Sequence, residues 1–254
     1  MSGKLFIIGL GPGDDAMQTP RAAQALASAT DLVGYGPYVD RAPHVAGQVR
    51  HVSDNREELD RARHALTLAA QGRIVAVLSA GDAGVFGMAS AIFEAIDQGE
   101  PAWRALEVEV VAGVSAMFAA AARIGAFLGH DFCAISLSDN LKPWELVLRR
   151  LRAAAETGFV IALYNPLSRA RPWQLNAAFE LLRGVLPPQT PVVFATAVSR
   201  ADERIDIVDL AEADPNRADM RTLVMIGTAA TRRIAREGRA PWVYTPRFAG
   251  DSGG

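Results

Sequence analysis

Four short segments carry the residue types best suited to chemistry, and each follows an apolar run. The first is Gly9-Leu10-Gly11-Pro12-Gly13-Asp14, after the run 5–8. A glycine turn directly after a buried strand lets a ligand approach the main chain closely. It departs from the dinucleotide fingerprint. Asp14 stands where the third glycine of G-x-G-x-x-G would fall, and Pro12 removes a backbone donor. A nicotinamide-dependent oxidoreductase of Rossmann type is therefore disfavoured, and the lack of G-x-x-x-x-G-K disfavours a phosphate loop. The second segment is Ser79-Ala80-Gly81-Asp82-Ala83-Gly84-Val85-Phe86-Gly87. Its Asp82 could accept hydrogen bonds from an amine or a ribose, or simply cap the next helix. The third, Ala112-Gly113-Val114-Ser115-Ala116, offers Ser115 as a contact or a cap. The fourth, Tyr164-Asn165-Pro166-Leu167-Ser168-Arg169-Ala170-Arg171, opens with an Asn-Pro turn and carries two arginines that could meet carboxylates or water. Together these loops outline a groove for a small ligand with an extended main-chain contact surface.

Cys133 is flanked by apolar residues and reads as core rather than nucleophile. The four histidines, His44, His51, His64 and His130, lack metal-ligand spacing, and a single cysteine allows neither an internal disulfide nor a multi-cysteine site. No metal is expected.

These segments need a scaffold, and the apolar pattern supplies one. Strands are expected over 5–8, 31–33, 50–53, 74–78, 108–111, 132–137, 159–163, 192–196, 204–208 and 223–226. Helices are expected over 19–29, 54–71 (Asp54 capping, Glu57 at its third position), 85–98, 115–124, 144–156 and 172–183. Alternation of this kind predicts an α/β fold. A seam near 113–130 would divide it into two α/β lobes, 1–116 and 117–247, with a flexible tail over 248–254.

With 254 residues, half of them hydrophobic, the chain can bury a large core. Its 26 basic and 28 acidic residues nearly balance, which argues against a global attraction to nucleic acid or an anionic membrane. Among the basic residues only Lys4 and Lys142 are lysines, which leaves many arginines that could meet a polyanionic ligand or simply reflect a compositional bias toward arginine and alanine. The N-terminus lacks the pattern of a signal peptide and no apolar run approaches a membrane span, so a cytoplasmic location is expected.

The four segments, in this order, resemble the tetrapyrrole methylase family. Its members open with a strand and a G-x-G-P-G-D loop, then carry a G-D loop and a P-G-V-[ST]-A turn. The resemblance runs from Leu5 to about Arg247. Two narrower stretches, His130-Asp131-Phe132-Cys133-Ala134-Ile135-Ser136-Leu137-Ser138-Asp139 and Leu163-Tyr164-Asn165-Pro166-Leu167-Ser168-Arg169, resemble the branch that acts on precorrin-3B. The resemblance implies a homodimer of two-lobed subunits, with S-adenosyl-L-methionine folded in a cleft between the lobes as methyl donor. Matched residue by residue, the implied cofactor contacts are Pro12, Ala80, Gly81, Asp82, Val85, Ser115, Ala116, Tyr164, Asn165, Val198, Thr228 and Ala230.

The implied activity is methylation at C-17 with ring contraction to precorrin-4, in cobalamin (vitamin B12) biosynthesis. Contraction requires a proton to leave a hydroxyl on the C-20 bridge, for which Asp14, His130, Asp131 and Asp139 are the candidate bases; His130 has the most suitable ordinary pKa but reads equally as a structural histidine before a strand. The acetate and propionate arms of the substrate call for arginines, with Arg21, Arg56, Arg123 and Arg169 as candidates. Another methylase activity of the same family, or a non-catalytic tetrapyrrole-binding role, are the alternatives. Three positions depart from the family pattern. Ala112 replaces a proline, Ala80 a glycine, and Gly227-Thr228-Ala229-Ala230-Thr231 stands where G-N-S-Q-T is expected.

Overall fold

The computed structural model describes residues 3–54, 57–168 and 172–248. Arg56, Arg169 and all of the expected tail except Phe248 lie outside them. The chain divides after Ser115 into two compact units.

In the first unit, β1 (Lys4–Gly9), β2 (Asp31–Tyr35), β3 (Val49–Ser53), β4 (Ile74–Ser79) and β5 (Glu107–Val111) form one sheet in the order β3-β2-β4-β1-β5. Every pairing is parallel. The helices are α1 (Pro20–Ser28), α2 (Gly36–Val39), α3 (Glu58–Ala70) and α4 (Met88–Gln98). Strand periodicity sorts the apolar residues between two cores. Leu5, Ile7, Val33, Val75 and Val77 face α3 and α4, whereas Phe6, Ile8, Leu32, Ala76 and Leu78 face α1 and α2. The chain therefore leaves β1 toward one face and β4, its neighbour, toward the other. In an open α/β sheet such a divergence opens a crevice at the carboxyl ends of the strands.

The helix starts follow local chemistry. Thr19 caps α1 by accepting from the Ala22 N–H at 3.2 Å, and Pro20 occupies the first turn, where its missing donor costs nothing. α3 begins at Glu58, with Glu57 rather than Asp54 at its cap position. The expected reciprocal contact survives in part, since the Glu57 carboxylate accepts from the Asp54 N–H at 3.1 Å. α4 begins at Met88, three residues later than the apolar pattern indicates, because Phe86 takes a left-handed backbone (φ 53°) and Gly87 is the cap.

Asp31 is almost fully buried at the start of β2. It accepts from Arg73 Nε (2.7 Å) and the Thr30 hydroxyl (2.6 Å), and lies 2.9 Å from His51 Nε2. Burial raises its pKa, but the hydrogen bonds from Arg73, Thr30 and His51 and the guanidinium charge outweigh that and hold it at about 2. The folded value lies below the ordinary 3.8, so the contribution is complete above the unfolded pKa and is lost as pH falls toward 2. A displacement of this size corresponds to about 2 kcal/mol. Asp31→Asn is therefore expected to lower stability by about that amount at pH 7 and to flatten the acid limb between about pH 4 and 2. Urea unfolding across that range checks it. An equally steep acid limb in the variant would assign the loss to other carboxylates.

The second unit opens with α5 (Ala116–Ile124) and the two-residue β6 (Gly125–Ala126). A mixed sheet follows, built from β7 (Phe132–Ser136), β8 (Val160–Tyr164), β9 (Pro191–Thr196), β10 (Arg204–Asp209) and β11 (Thr222–Ile226), in the order β10-β9-β11-β8-β7. Only β7 and β8 run parallel. α6 (Trp144–Glu156) and α7 (Gln174–Arg183) pack on it through Val147, Leu151, Leu175, Phe179 and Leu182. β12 (Arg232–Arg236) and β13 (Arg239–Tyr244) form an unanticipated hairpin, paired with β6. No helix among the described residues is long and apolar enough to cross a membrane.

Candidate functional site

Strand order brings three of the four segments together in the first unit. β1 lies between β4 and β5, so the loops after these strands are neighbours. Gly11 and Gly81 exchange two backbone hydrogen bonds (3.0 and 2.9 Å), and both have positive φ (73° and 64°), which glycine adopts without steric cost. Gly113 of the third loop completes the cluster. A Cβ built on it would lie 2.2 Å from the Gly81 carbonyl oxygen and 2.7 Å from that of Gly9. Main chain from three loops therefore meets without intervening side chains.

Asp82 locks this arrangement. One carboxylate oxygen accepts from the Gly84 N–H (2.8 Å) and the other from the Gly113 N–H (2.9 Å). Asp82 thus ties the second loop to the third and does not cap α4. On the first loop, Nη2 of Arg41 donates to the carbonyls of Leu10 (3.2 Å), Gly11 (3.2 Å) and Gly13 (3.4 Å). Sequence reasoning missed Arg41. No local pattern marks it, because only the fold returns it to a loop some thirty residues earlier. Pro12, Gly81 and Ser115 are buried, and Ala80, Asp82 and Val85 are half-buried.

Asp14 is exposed and caps a single 3-10 turn by accepting from the Ala16 N–H at 2.9 Å. Arg21 forms a two-pronged pair with Glu109, Nε to Oε1 at 2.7 Å and Nη2 to Oε2 at 2.5 Å. That pair engages the planar edge through which arginine best grips a carboxylate.

In the second unit, the Tyr164 hydroxyl accepts from the Met117 N–H (3.2 Å) in the first turn of α5, next to Ala116. Asn165 has a left-handed backbone (φ 50°), and its side-chain amide donates to the Ser136 hydroxyl at 2.9 Å, joining the ends of β7 and β8. Val198 is buried in the turn after β9. The segment 227–231 is held by its own hydroxyls. The Thr228 hydroxyl accepts from the Ala230 N–H (3.1 Å), and the Thr231 hydroxyl accepts from the Thr228 N–H (2.8 Å). Thr231 also lies 3.0 Å from the Thr245 hydroxyl, which donates to the Phe127 carbonyl at 2.8 Å. Thr228 is buried within this network while Ala230 is exposed.

His130 is half-buried, and its Nδ1 accepts from the Asp131 N–H at 2.8 Å, so the neutral ring carries its proton on Nε2. Arg123 Nε lies 3.1 Å from each carboxylate oxygen of Glu203. Cys133 packs against the core, where burial pushes its thiol pKa up. That matches a structural cysteine rather than a nucleophile. No cluster of three or more His, Cys, Asp or Glu side chains suited to a metal ion occurs among the described residues.

Comparison with known proteins adds to this geometry. A family model described as Tetrapyrrole (Corrin/Porphyrin) Methylases matches residues 4–214. The chain is 59% identical to a Sinorhizobium protein named precorrin-3B C(17)-methyltransferase, over 98% of each chain. It is 38% identical to a Priestia megaterium protein named cobalt-factor III methyltransferase, over 91% of this chain and 43% of that one. Its fold is similar to the crystal structure of the methyltransferase CobJ, with a TM-score of 0.92 and 51% identity, covering 96% of this chain and all of that one.

Proposed function

The chain belongs to the tetrapyrrole (corrin/porphyrin) methylases, and on that premise we propose that it methylates precorrin-3B at C-17 with ring contraction to precorrin-4, in cobalamin biosynthesis. The observation that carries this reading is the 59% identity, spread over 98% of both chains, to a protein named for that reaction. S-adenosyl-L-methionine, the proposed donor, supplies a methyl group already activated on a sulfonium. The protein's own work is then to bind, align and exclude water, and alignment alone can lower such a barrier by up to about 7–11 kcal/mol.

The first unit suits a nucleoside ligand. At Gly113 the main chain packs directly on that of Gly9 and Gly81, Asp82 ties the second loop to the third, and Arg41 holds the first. Its proposed cofactor contacts are Pro12, Ala80, Gly81, Asp82, Val85 and Ser115; those of the second unit are Ala116, Tyr164, Asn165, Val198, Thr228 and Ala230.

Ring contraction needs a group to take the hydroxyl proton. Asp14 is exposed and uses one carboxylate oxygen for its turn, so it is better placed to accept a proton than His130, whose Nδ1 is already an acceptor. A homodimer in the cytoplasm, with no nucleic-acid or membrane partner, completes the proposal.

Incubation with methyl-labelled S-adenosylmethionine and, separately, precorrin-3B, cobalt-factor III and uroporphyrinogen tests the assignment. One label per precorrin-3B, with the mass of precorrin-4, is expected. Label in another acceptor alone would move the chain to a sister activity, and label in none would remove the enzymatic reading. In the same assay, loss of the true base, by Asp14→Asn or His130→Gln, is expected to slow contraction by about 10²–10⁴-fold.

A further inference from the structure

Four non-glycine residues among those described have a left-handed backbone, and two of them flank a single buried position. Ala197 (φ 50°) and Ser199 (φ 63°) stand on either side of Val198 after β9, and all three are buried. A residue with a Cβ keeps such a backbone only where its surroundings impose it, and strain of this kind collects at ligand-binding turns.

Here the imposing contacts are identifiable. The Ala197 N–H donates to the Arg221 carbonyl (3.1 Å), and the Arg200 N–H donates back to the Ala197 carbonyl (3.0 Å). The Ser199 N–H donates to Oε2 of Glu203 at 2.5 Å. Glu203 is itself held from α5, since Arg123 Nε lies 3.1 Å from both of its carboxylate oxygens. A charged acceptor fixed by a guanidinium makes a stronger tether for an amide than a mobile side chain would.

We infer that Glu203, clamped by Arg123, is a positioning residue that holds the 197–199 turn in its ligand-binding shape. Arg123 then acts through this carboxylate rather than on the carboxylate arms of the tetrapyrrole. The inference rests on the methyltransferase reading, in which Val198 touches the cofactor.

Calorimetry with S-adenosylhomocysteine, paired with steady-state kinetics, tests it on the full chain. Glu203→Ala is expected to weaken binding by about 30-fold, in line with loss of a charge-assisted tether. Arg123→Ala should weaken it by a smaller factor, and the double variant should be no worse than Glu203→Ala alone. Glu203→Gln keeps an acceptor for the Ser199 N–H and should fall between wild type and Glu203→Ala. Adding Ser199→Gly to Glu203→Ala should recover part of the affinity, because glycine enters the left-handed region without steric cost. A purely structural role would lower the melting temperature without moving the dissociation constant.

Unchanged affinity in Glu203→Gln and Arg123→Ala would overturn the inference, and these milder changes keep the test open should Glu203→Ala fail to fold. So would an Arg123→Ala variant whose only defect is a raised KM for the tetrapyrrole. If the unaltered protein gave no heat of binding, the methyltransferase reading would fall and the inference with it. Normal wild-type binding with unaffected variants would remove the inference alone.

Discussion

Gly113→Ala is expected to abolish measurable binding of S-adenosylhomocysteine while leaving a folded but weakened protein. The new methyl carbon would sit 2.2 Å from the Gly81 carbonyl oxygen, 2.7 Å from the Gly9 carbonyl oxygen and 2.8 Å from the Gly9 carbonyl carbon. All three are main-chain atoms, so no rotamer change relieves the clash. At least one loop has to move, and each is anchored elsewhere. Gly9 ends β1, while Gly81 is paired with Gly11. Overpacking against main chain costs about 1–3 kcal/mol or more in stability. The functional cost is expected to be larger, because a ligand held by main-chain groups tolerates little displacement of them. Misplacement by about 1 Å can cost roughly 100-fold in activity.

Gly36→Ala is the reference. Its nearest new contact, with a Val52 methyl at 3.4 Å, is an ordinary one, so near-normal stability and binding are expected. Thermal unfolding and calorimetry on both variants decide the matter. If Gly113→Ala bound the nucleoside as well as wild type, the junction of the three loops would not be where the cofactor is gripped.

The distribution of legible and illegible features has a physical basis. A parallel sheet buried on both faces writes itself into sequence as continuous apolar runs, and those around Leu5–Ile8 and Val75–Leu78 were readable for that reason. α6 matched its expected span, 144–156, because its apolar positions recur at the helical period and Pro143 stands before it. The β12–β13 hairpin was missed. Arg232, Arg233, Arg236 and Arg239 mask any alternation, although the Glu237-Gly238 dipeptide, with Gly238 at φ 63°, was a usable turn signal. The glycine loops could be located from sequence, but the struts behind them could not. Arg41, the Arg123 clamp on Glu203 and the tie from Asp82 to Gly113 depend on contacts between residues distant along the chain. The partners of the candidate arginines met the same limit. Arg21 and Arg123 are bound to Glu109 and Glu203 in the fold, and neither pairing has a local signature.

Two roles for Asp82 are separable by experiment. If its carboxylate served only a ligand, its removal would lower affinity and leave the unliganded protein as stable as before. The geometry predicts otherwise. Both oxygens are engaged by backbone N–H groups, from Gly84 and Gly113, before any ligand arrives. Hydrogen bonds to a charged acceptor are worth about 1.5–3 kcal/mol each, and the partly exposed setting lets water recover some of that. Asp82→Ala is therefore expected to cost about 2–3 kcal/mol in the unliganded protein and to weaken S-adenosylhomocysteine binding by about 10–100-fold. Asp82→Asn should be no milder. An amide has one acceptor oxygen, so its NH2 must face one of the two N–H donors or turn away and leave that donor unmet. Urea unfolding without ligand is the decisive measurement. Wild-type stability in both variants, with only affinity lost, would show that the second and third loops hold together without this carboxylate. The junction at Gly9, Gly81 and Gly113 would then be fixed by close packing of main chain alone.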